Sequence, residues 1–219
     1  MSNEKRAYFV SWKELHSGAN PESNIWIRGY LNVMFSISRA LRLLRISPNG
    51  FTVISGAASI VGYTYFTRHD SLLGIVVVAF IGLLLDGVDG SLAILQNRAS
   101  RFGAVLDSVN DRIQESLLLI ALSWVLFTTG FSLWITTALL LSLLATLLLE
   151  YARSRAMTKV KITIWERPTR VLVVTAFVLA ALLLEAFGAE LLYVMSSITM
   201  ALSWVGLYQQ FQDSKRQLL

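Results

Sequence analysis

Stretches such as IVVVAFIGLLL, SLLLIALSWVLF and TTALLLSLLATLLL recur along this chain with almost no charge inside them. A bilayer core needs about 20 apolar residues per helix. A backbone in hydrocarbon must satisfy its own hydrogen bonds, so only helices or closed barrels cross it. Continuous apolar runs, without the strict alternation of a strand, read as helices. Six spans are expected, roughly over 49–68, 71–96, 103–129, 132–155, 168–188 and 189–210, the last two separated by a tight turn near Gly188. With 55% of 219 residues hydrophobic, little chain is left for a soluble domain. The expected fold is an all-α integral membrane protein: a cytosolic extension over 1–48, then a six-helix membrane domain over 49–219.

The basic residues set the expected orientation. Arg28, Arg39, Arg42 and Arg45 precede the first span, and Arg98 and Arg101 join the second to the third. Arg153, Arg155, Lys159, Lys161, Arg167 and Arg170 lie at or between the ends of the fourth and fifth, and Lys215 and Arg216 follow the last. The opposite connections carry only Arg68. The positive-inside rule then puts both termini in the cytosol of a cell whose cytoplasmic membrane holds the chain. An even number of spans requires the same. The net charge of +5 thus needs no nucleic acid to explain it. Before the first span, Leu31, Met34, Phe35, Ile37, Ser38, Leu41 and Leu44 form a stripe that Arg39, Arg42 and Arg45 largely avoid. That pattern predicts an amphipathic helix in the cytosolic interface, ended by Pro48. Trp26 and Trp165 read as interface anchors. The N-terminal segment MSNEKRAYFVSWKEL lacks the continuous apolar core of a signal peptide.

No cysteine is present, and the two histidines, His16 and His69, stand far apart. Thiolate and histidine metal sites are therefore not expected. Carboxylates are another matter. Asp86 and Asp89 fall in the cytosolic half of the second expected span, Asp107 and Asp111 in that of the third. Spacings of three and four put each pair on one helix face, and the short loop QNRASRF joins the two helices. An aspartate facing lipid costs about 2.5–3.5 kcal/mol, and four together repel one another. A divalent cation relieves both problems, and all-oxygen ligation suits magnesium, manganese or calcium. Gly87 and Gly90 beside Asp89 permit close approach of another group to the backbone.

The segment resembles the signature of the CDP-alcohol phosphotransferases (CDP-alcohol phosphatidyltransferases), D-x-x-D-G-x-x-A-R-x8-G-x3-D-x3-D. It reads here Asp86, Asp89, Gly90 and Ala93, then eight residues after Ile94, Gly103, Asp107 and Asp111. Ile94 stands where the family has arginine. SPNGFT at 47–52 is similar to the family's Pro-Asn-x-x-Thr. The resemblance implies a membrane enzyme that displaces CMP from a CDP-linked lipid with a second alcohol. It implies Mg2+ or Mn2+ on Asp86, Asp89, Asp107 and Asp111, with Asp111 also the general base. Asn49, Thr52, Gly90, Ala93 and Gly103 would form the nucleotide site, with helix capping as the alternative role of Asn49 and Thr52. Arg98, Arg101 and Arg112 are candidates to replace the missing arginine. Homodimers are common in the family.

The strings YARSRA and ERPTR are similar to those of members that use inositol phosphate. Arg153, Arg155, Arg167 and Arg170 are the expected acceptor-phosphate ligands, since guanidinium groups suit a phosphate dianion. Glu166 is expected to pair with a neighbouring arginine, and Glu115, one turn after Asp111, to support the site. The favoured acceptor is inositol-1-phosphate, with glycerol-3-phosphate as the alternative. A cation transporter using the aspartates as an ion path is the rival from another class. The outer half carries no polar residues to complete such a path.

Overall fold

The computed structural model describes residues 3–15, 25–156, 163 and 165–218. His16, Lys159 and Lys161 lie outside them, as does the side chain of Trp26. The described residues form nine α-helices: α1 (Asn3–Leu15), α2 (Ile25–Leu43), α3 (Pro48–Arg68), α4 (Leu72–Leu85), α5 (Val88–Gln96), α6 (Arg101–Thr128), α7 (Leu133–Ala156), α8 (Arg167–Leu183) and α9 (Gly188–Leu218), with a 3-10 turn at Glu185–Phe187 before α9.

Helix ends follow one local recipe. Arg45, Asp70, Asn97 and Gly130 adopt positive φ. At each, paired backbone bonds close a Schellman turn, as in Ile46 N–H to Leu41 O and Phe131 N–H to Leu126 O. A serine then caps the next helix. Ser47, Ser71 and Ser100 accept from the N–H of Gly50, Gly74 and Gly103, and Ser132 from that of Trp134. Pro48 follows Ser47 as the first residue of α3, where its missing N–H costs nothing.

Length and composition suit three stretches to crossing a membrane: Leu72–Gln96, Leu133–Ala156 and Glu185–Gln217. The 17 residues of α8 are short for the purpose, and α6 carries Asp107, Asp111, Arg112 and Glu115. Large apolar side chains including Val61, Trp124, Leu133, Leu183 and Phe187 are exposed. Such a surface suits lipid rather than water, and the chain is an integral membrane protein.

The chain forms two compact units, Met1–Ala58 with Leu84–Asp111, and Ser59–Leu83 with Arg112–Leu219. In the first, the α2 stripe packs on α1 and α5. Tyr8, Phe9, Leu31 and Phe35 are buried together, with Trp12, Ile94 and Leu95 against them. Tyr8 Oη lies 2.7 Å from Ser91 Oγ, and Ser38 Oγ donates to the Val88 carbonyl. Part of the face expected to meet lipid is thus covered by protein, while Leu43 and Leu44 remain exposed. In the second unit, Ile75, Leu122, Val125, Leu139, Val174 and Met195 are central to one apolar core. Small buried residues let α7 and α9 approach: Ala138, Ser142 and Ala145 on one, Ser196, Thr199 and Ser203 on the other. Trp165 is buried here and donates Nε1–H to Ser203 Oγ at 3.0 Å. It is a core residue rather than the interface anchor its position suggested, because α9 offers its indole both cover and an acceptor.

Candidate metal centre and adjoining cleft

The apolar run of the second expected span is not one unbroken helix. α4 ends at Leu85, Asp86 and Gly87 form a turn, and α5 starts at Val88. Asp86 and Asp89 therefore do not share a regular helical face. Asp86 joins Asp107 and Asp111, one turn apart on α6, and one ligand oxygen from each lies within 4.8 Å of the others. Oxygens on one hard cation are separated by at most about twice the metal–oxygen distance, roughly 4–5 Å. The three partly buried carboxylates therefore fit a single divalent ion in both spacing and chemistry.

Asp89 stands outside that grouping. Its Oδ2 accepts a 2.6 Å hydrogen bond from Thr52 Oγ1, and its Oδ1 accepts from the Gly90 N–H at 2.7 Å. The start of α3 is capped by Ser47, which leaves Asn49 and Thr52 without a capping role. Instead they line a cleft of about 610 Å³ with Pro48, Asp89, Gly90, Ala93, Ile94, Arg98, Gly103 and Asp107 among its walls. All five residues expected at a nucleotide meet in this cleft, which shares Asp107 with the carboxylate group.

The two glycines between and after the aspartates differ. A side chain at Gly90 would meet nothing within 4 Å, so its surface is open to the cleft. A Cβ at Gly87 would overlap the Tyr30 hydroxyl. Partial burial, then the charge of Asp86, push the Tyr30 phenol up to about 12, against a hydrogen bond from the Gly87 backbone. Tyr30 is a neighbour of the carboxylates that sequence reasoning missed. Gly87 signalled a close approach there, but not by which residue.

The four arginines expected at the acceptor phosphate lie in the second unit and are unequally available. All three guanidinium nitrogens of Arg170 donate: Nε and Nη2 to the carboxylate of Glu115, Nη1 to the Trp165 carbonyl. Both partners are almost wholly buried, at 4% and 5% side-chain exposure. Glu115 thus holds Arg170. Arg153 bonds Glu150, Glu166, Thr163 and Gln210. Arg167 is buried beside Tyr63, Gln114 and Glu115. Arg155 is exposed, and its side chain has no partner among the described residues. Burial alone would raise the Glu166 carboxyl, but hydrogen bonds from Arg153 and from the N–H and hydroxyl of Thr163 outweigh it and hold the pKa down at about 2.

Comparison with known proteins follows the same lines. The CDP-alcohol phosphatidyltransferase family profile matches residues 45–209. An archaetidylinositol phosphate synthase of Pyrococcus horikoshii is 27% identical over 187 residues, 83% of this chain and 90% of that protein. A phosphatidylinositol phosphate synthase of Mycolicibacterium smegmatis is 29% identical over 61% of this chain and 62% of its own length. Two crystal structures of the Mycobacterium tuberculosis phosphatidylinositol phosphate synthase share the fold at 23% identity. One, with CDP-DAG bound, has a TM-score of 0.76 and covers 84% of this chain and 94% of that one. The other, with manganese and citrate, has a TM-score of 0.77 and covers 83% and 88%.

Proposed function

The chain belongs to the CDP-alcohol phosphatidyltransferase family, and from that premise we propose that it transfers a phosphatidyl-type group from a CDP-linked lipid to inositol-1-phosphate, releasing CMP. Membership in a transferase family sets aside the cation-path reading. The observation that carries the proposal is the grouping of Asp86, Asp107 and Asp111 beside a cleft walled by Asn49, Thr52, Gly90, Ala93 and Gly103. The inositol acceptor is supported by the names of the relatives.

Asp86, Asp107 and Asp111 would hold Mg2+ or Mn2+, with Asp89 completing the set. Bound there, the ion would neutralise the diphosphate and stabilise the departing CMP. The protein's own groups do the rest. Gly90 and Ala93 leave room for the nucleotide. Gly103 leaves room for the Asn49 amide, since a Cβ there would come within 3.1 Å of its Oδ1. Thr52 fixes the Asp89 carboxylate through their hydrogen bond. Asp111 takes the proton from the acceptor hydroxyl; a carboxylate near a cation is a weak base, so positioning carries much of its effect. Of the four arginines expected at the acceptor's phosphate, Arg155 is the exposed one, its side chain has no partner among the described residues, and we assign it that phosphate. Six membrane crossings, with the site and both termini on the cytosolic side, complete the proposal.

The test is CMP release by purified protein in detergent from CDP-diacylglycerol or its ether analogue, with Mg2+ or Mn2+ and one acceptor at a time. Release with inositol-1-phosphate, and its loss on chelation, is expected. Release with glycerol-3-phosphate alone would keep the reaction and replace the acceptor. Asp111→Asn should lower turnover by at least about 100-fold, and normal CMP release by that variant would remove the base role.

A further inference from the structure

We infer that Arg98 supplies the cation that meets the phosphate of the cytidine nucleotide in this cleft, in place of the motif position that Ile94 leaves apolar. The inference rests on the nucleotide reading given above and assigns a residue which that reading leaves without a role.

Three observations carry it. First, among the residues lining the cleft, Arg98 is the single cation, beside Asp89 and Asp107. A nucleotide phosphate entering there meets two carboxylates and needs a compensating positive charge besides the metal. Second, the other candidate cations are placed elsewhere, and Ile94, itself a wall of the cleft, is apolar and packs against the cluster of Tyr8, Phe9, Leu31 and Phe35. Arg101 is not among the lining residues. Arg112 pairs with Glu150, and Arg42 with Glu4 and the Leu95 carbonyl.

Third, Arg98 is held at its backbone, and its head is uncommitted among the described residues. α5 ends in a Schellman turn: Asn97 takes φ 52 and ψ 42, Asn97 N–H donates to Ile94 O, and Arg98 N–H donates to Ala93 O at 2.9 Å. The residue after a left-handed cap is set by these two bonds. The direction in which Arg98 leaves the helix is thus fixed by the backbone of Ala93 and Ile94, both cleft residues themselves. Its guanidinium has no hydrogen bond or ion pair among the described residues, although two carboxylates share the cleft. An arginine fixed at its base and uncommitted at its tip is organised for a ligand anion, and its planar fork matches two phosphate oxygens.

A phosphate could come from the donor nucleotide or from the acceptor, and binding experiments separate them. The full-length protein in detergent, with Mn2+, is titrated with CMP, and cytidine is scored as a competitive inhibitor of turnover. Wild type, Arg98→Gln and Arg98→Lys are compared, with KM measured for donor and acceptor. Arg98→Gln should weaken CMP binding about tenfold, the loss of one charge-assisted hydrogen bond, while cytidine inhibits as before. The donor KM should rise, the acceptor KM should hold, and Arg98→Lys should fall between. The side chain takes no part in the turn, so the variant should melt with wild type. Unchanged CMP affinity, equal weakening of CMP and cytidine, or a rise confined to the acceptor KM would each overturn the assignment. A wild-type protein that neither binds CMP nor releases it from any CDP-lipid would overturn the transferase reading itself, a result distinct from a variant that behaves as wild type.

Discussion

Gly87 and Gly90 stand three residues apart and do opposite things. Gly90 leaves its space empty for the cleft, while Gly87 yields its space to the Tyr30 hydroxyl. Gly87→Ala must push Tyr30 away or move the turn that carries Asp86, an overpacking cost of about 1–3 kcal/mol. We expect Gly87→Ala to lower both melting temperature and CMP release. Tyr30→Phe in the same chain should restore part of each, since it removes the nearest atom; failure of the double variant to recover would mean that the turn itself rejects a side chain. Arg170 gives a second expectation. Removing it breaks a buried ion pair, which costs about 3–5 kcal/mol. Replacing both by methionine removes the charge and its partner together and should cost less. Detergent melts of Arg170→Ala and of the double variant, compared directly, separate this from simple loss of volume.

At the scale of elements, the helices are joined by turns that close with local chemistry and are then tied by longer-range pairs. Glu166 is the clearest tie. It precedes α8, and its carboxylate binds Arg153 near the end of α7 and Thr163 between them. Its pKa in the folded protein, about 2, lies below the ordinary 4.5. A depressed carboxyl adds stability above its unfolded pKa and loses it as pH falls toward the folded value. Wild type should therefore exceed Glu166→Gln by a constant margin above about pH 5. The margin should shrink as pH falls from about 4.5 toward 2, because other carboxylates titrate alike in both proteins. Chemical denaturation at pH 7, 4 and 3 measures it, and an undiminished margin at pH 3 would show that the negative charge is not its source. The break at Asp86–Gly87 belongs to this scale too. It takes Asp86 off the α5 face and into the company of Asp107 and Asp111.

The whole molecule is organised by its surroundings. Exposed leucine, valine and phenylalanine cover helices whose buried sides hold small and polar residues, the arrangement expected where the solvent is hydrocarbon. The absence of cysteine makes sidedness directly measurable. A single thiol at Leu44 or Lys215 should react with an impermeant reagent only from the cytosolic side of oriented vesicles. A thiol at Thr129, in the turn before α7, should react only from the opposite side. Labelling of all three from one side would overturn the proposed topology and the six crossings together.

The features readable before any coordinates were local ones. Hydropathy along the chain gives helices suited to a bilayer, because burial in lipid is decided residue by residue. The resemblance to the family motif points to Gly90, Ala93 and Gly103 as neighbours, and they line one cleft, whereas the spacing of Asp86 and Asp89 does not show the turn that separates them. What only the tertiary structure decided was which charges are spent. Arg170 and Arg153 look alike in a basic stretch, yet one meets a glutamate 55 positions away and the other a glutamine 57 positions away. Trp165 finds its acceptor 38 positions on, and Arg98 is uncommitted among the described residues. Long-range pairing has no period in the sequence. It is set by which helix faces meet, and that choice leaves some groups occupied and others free for a ligand.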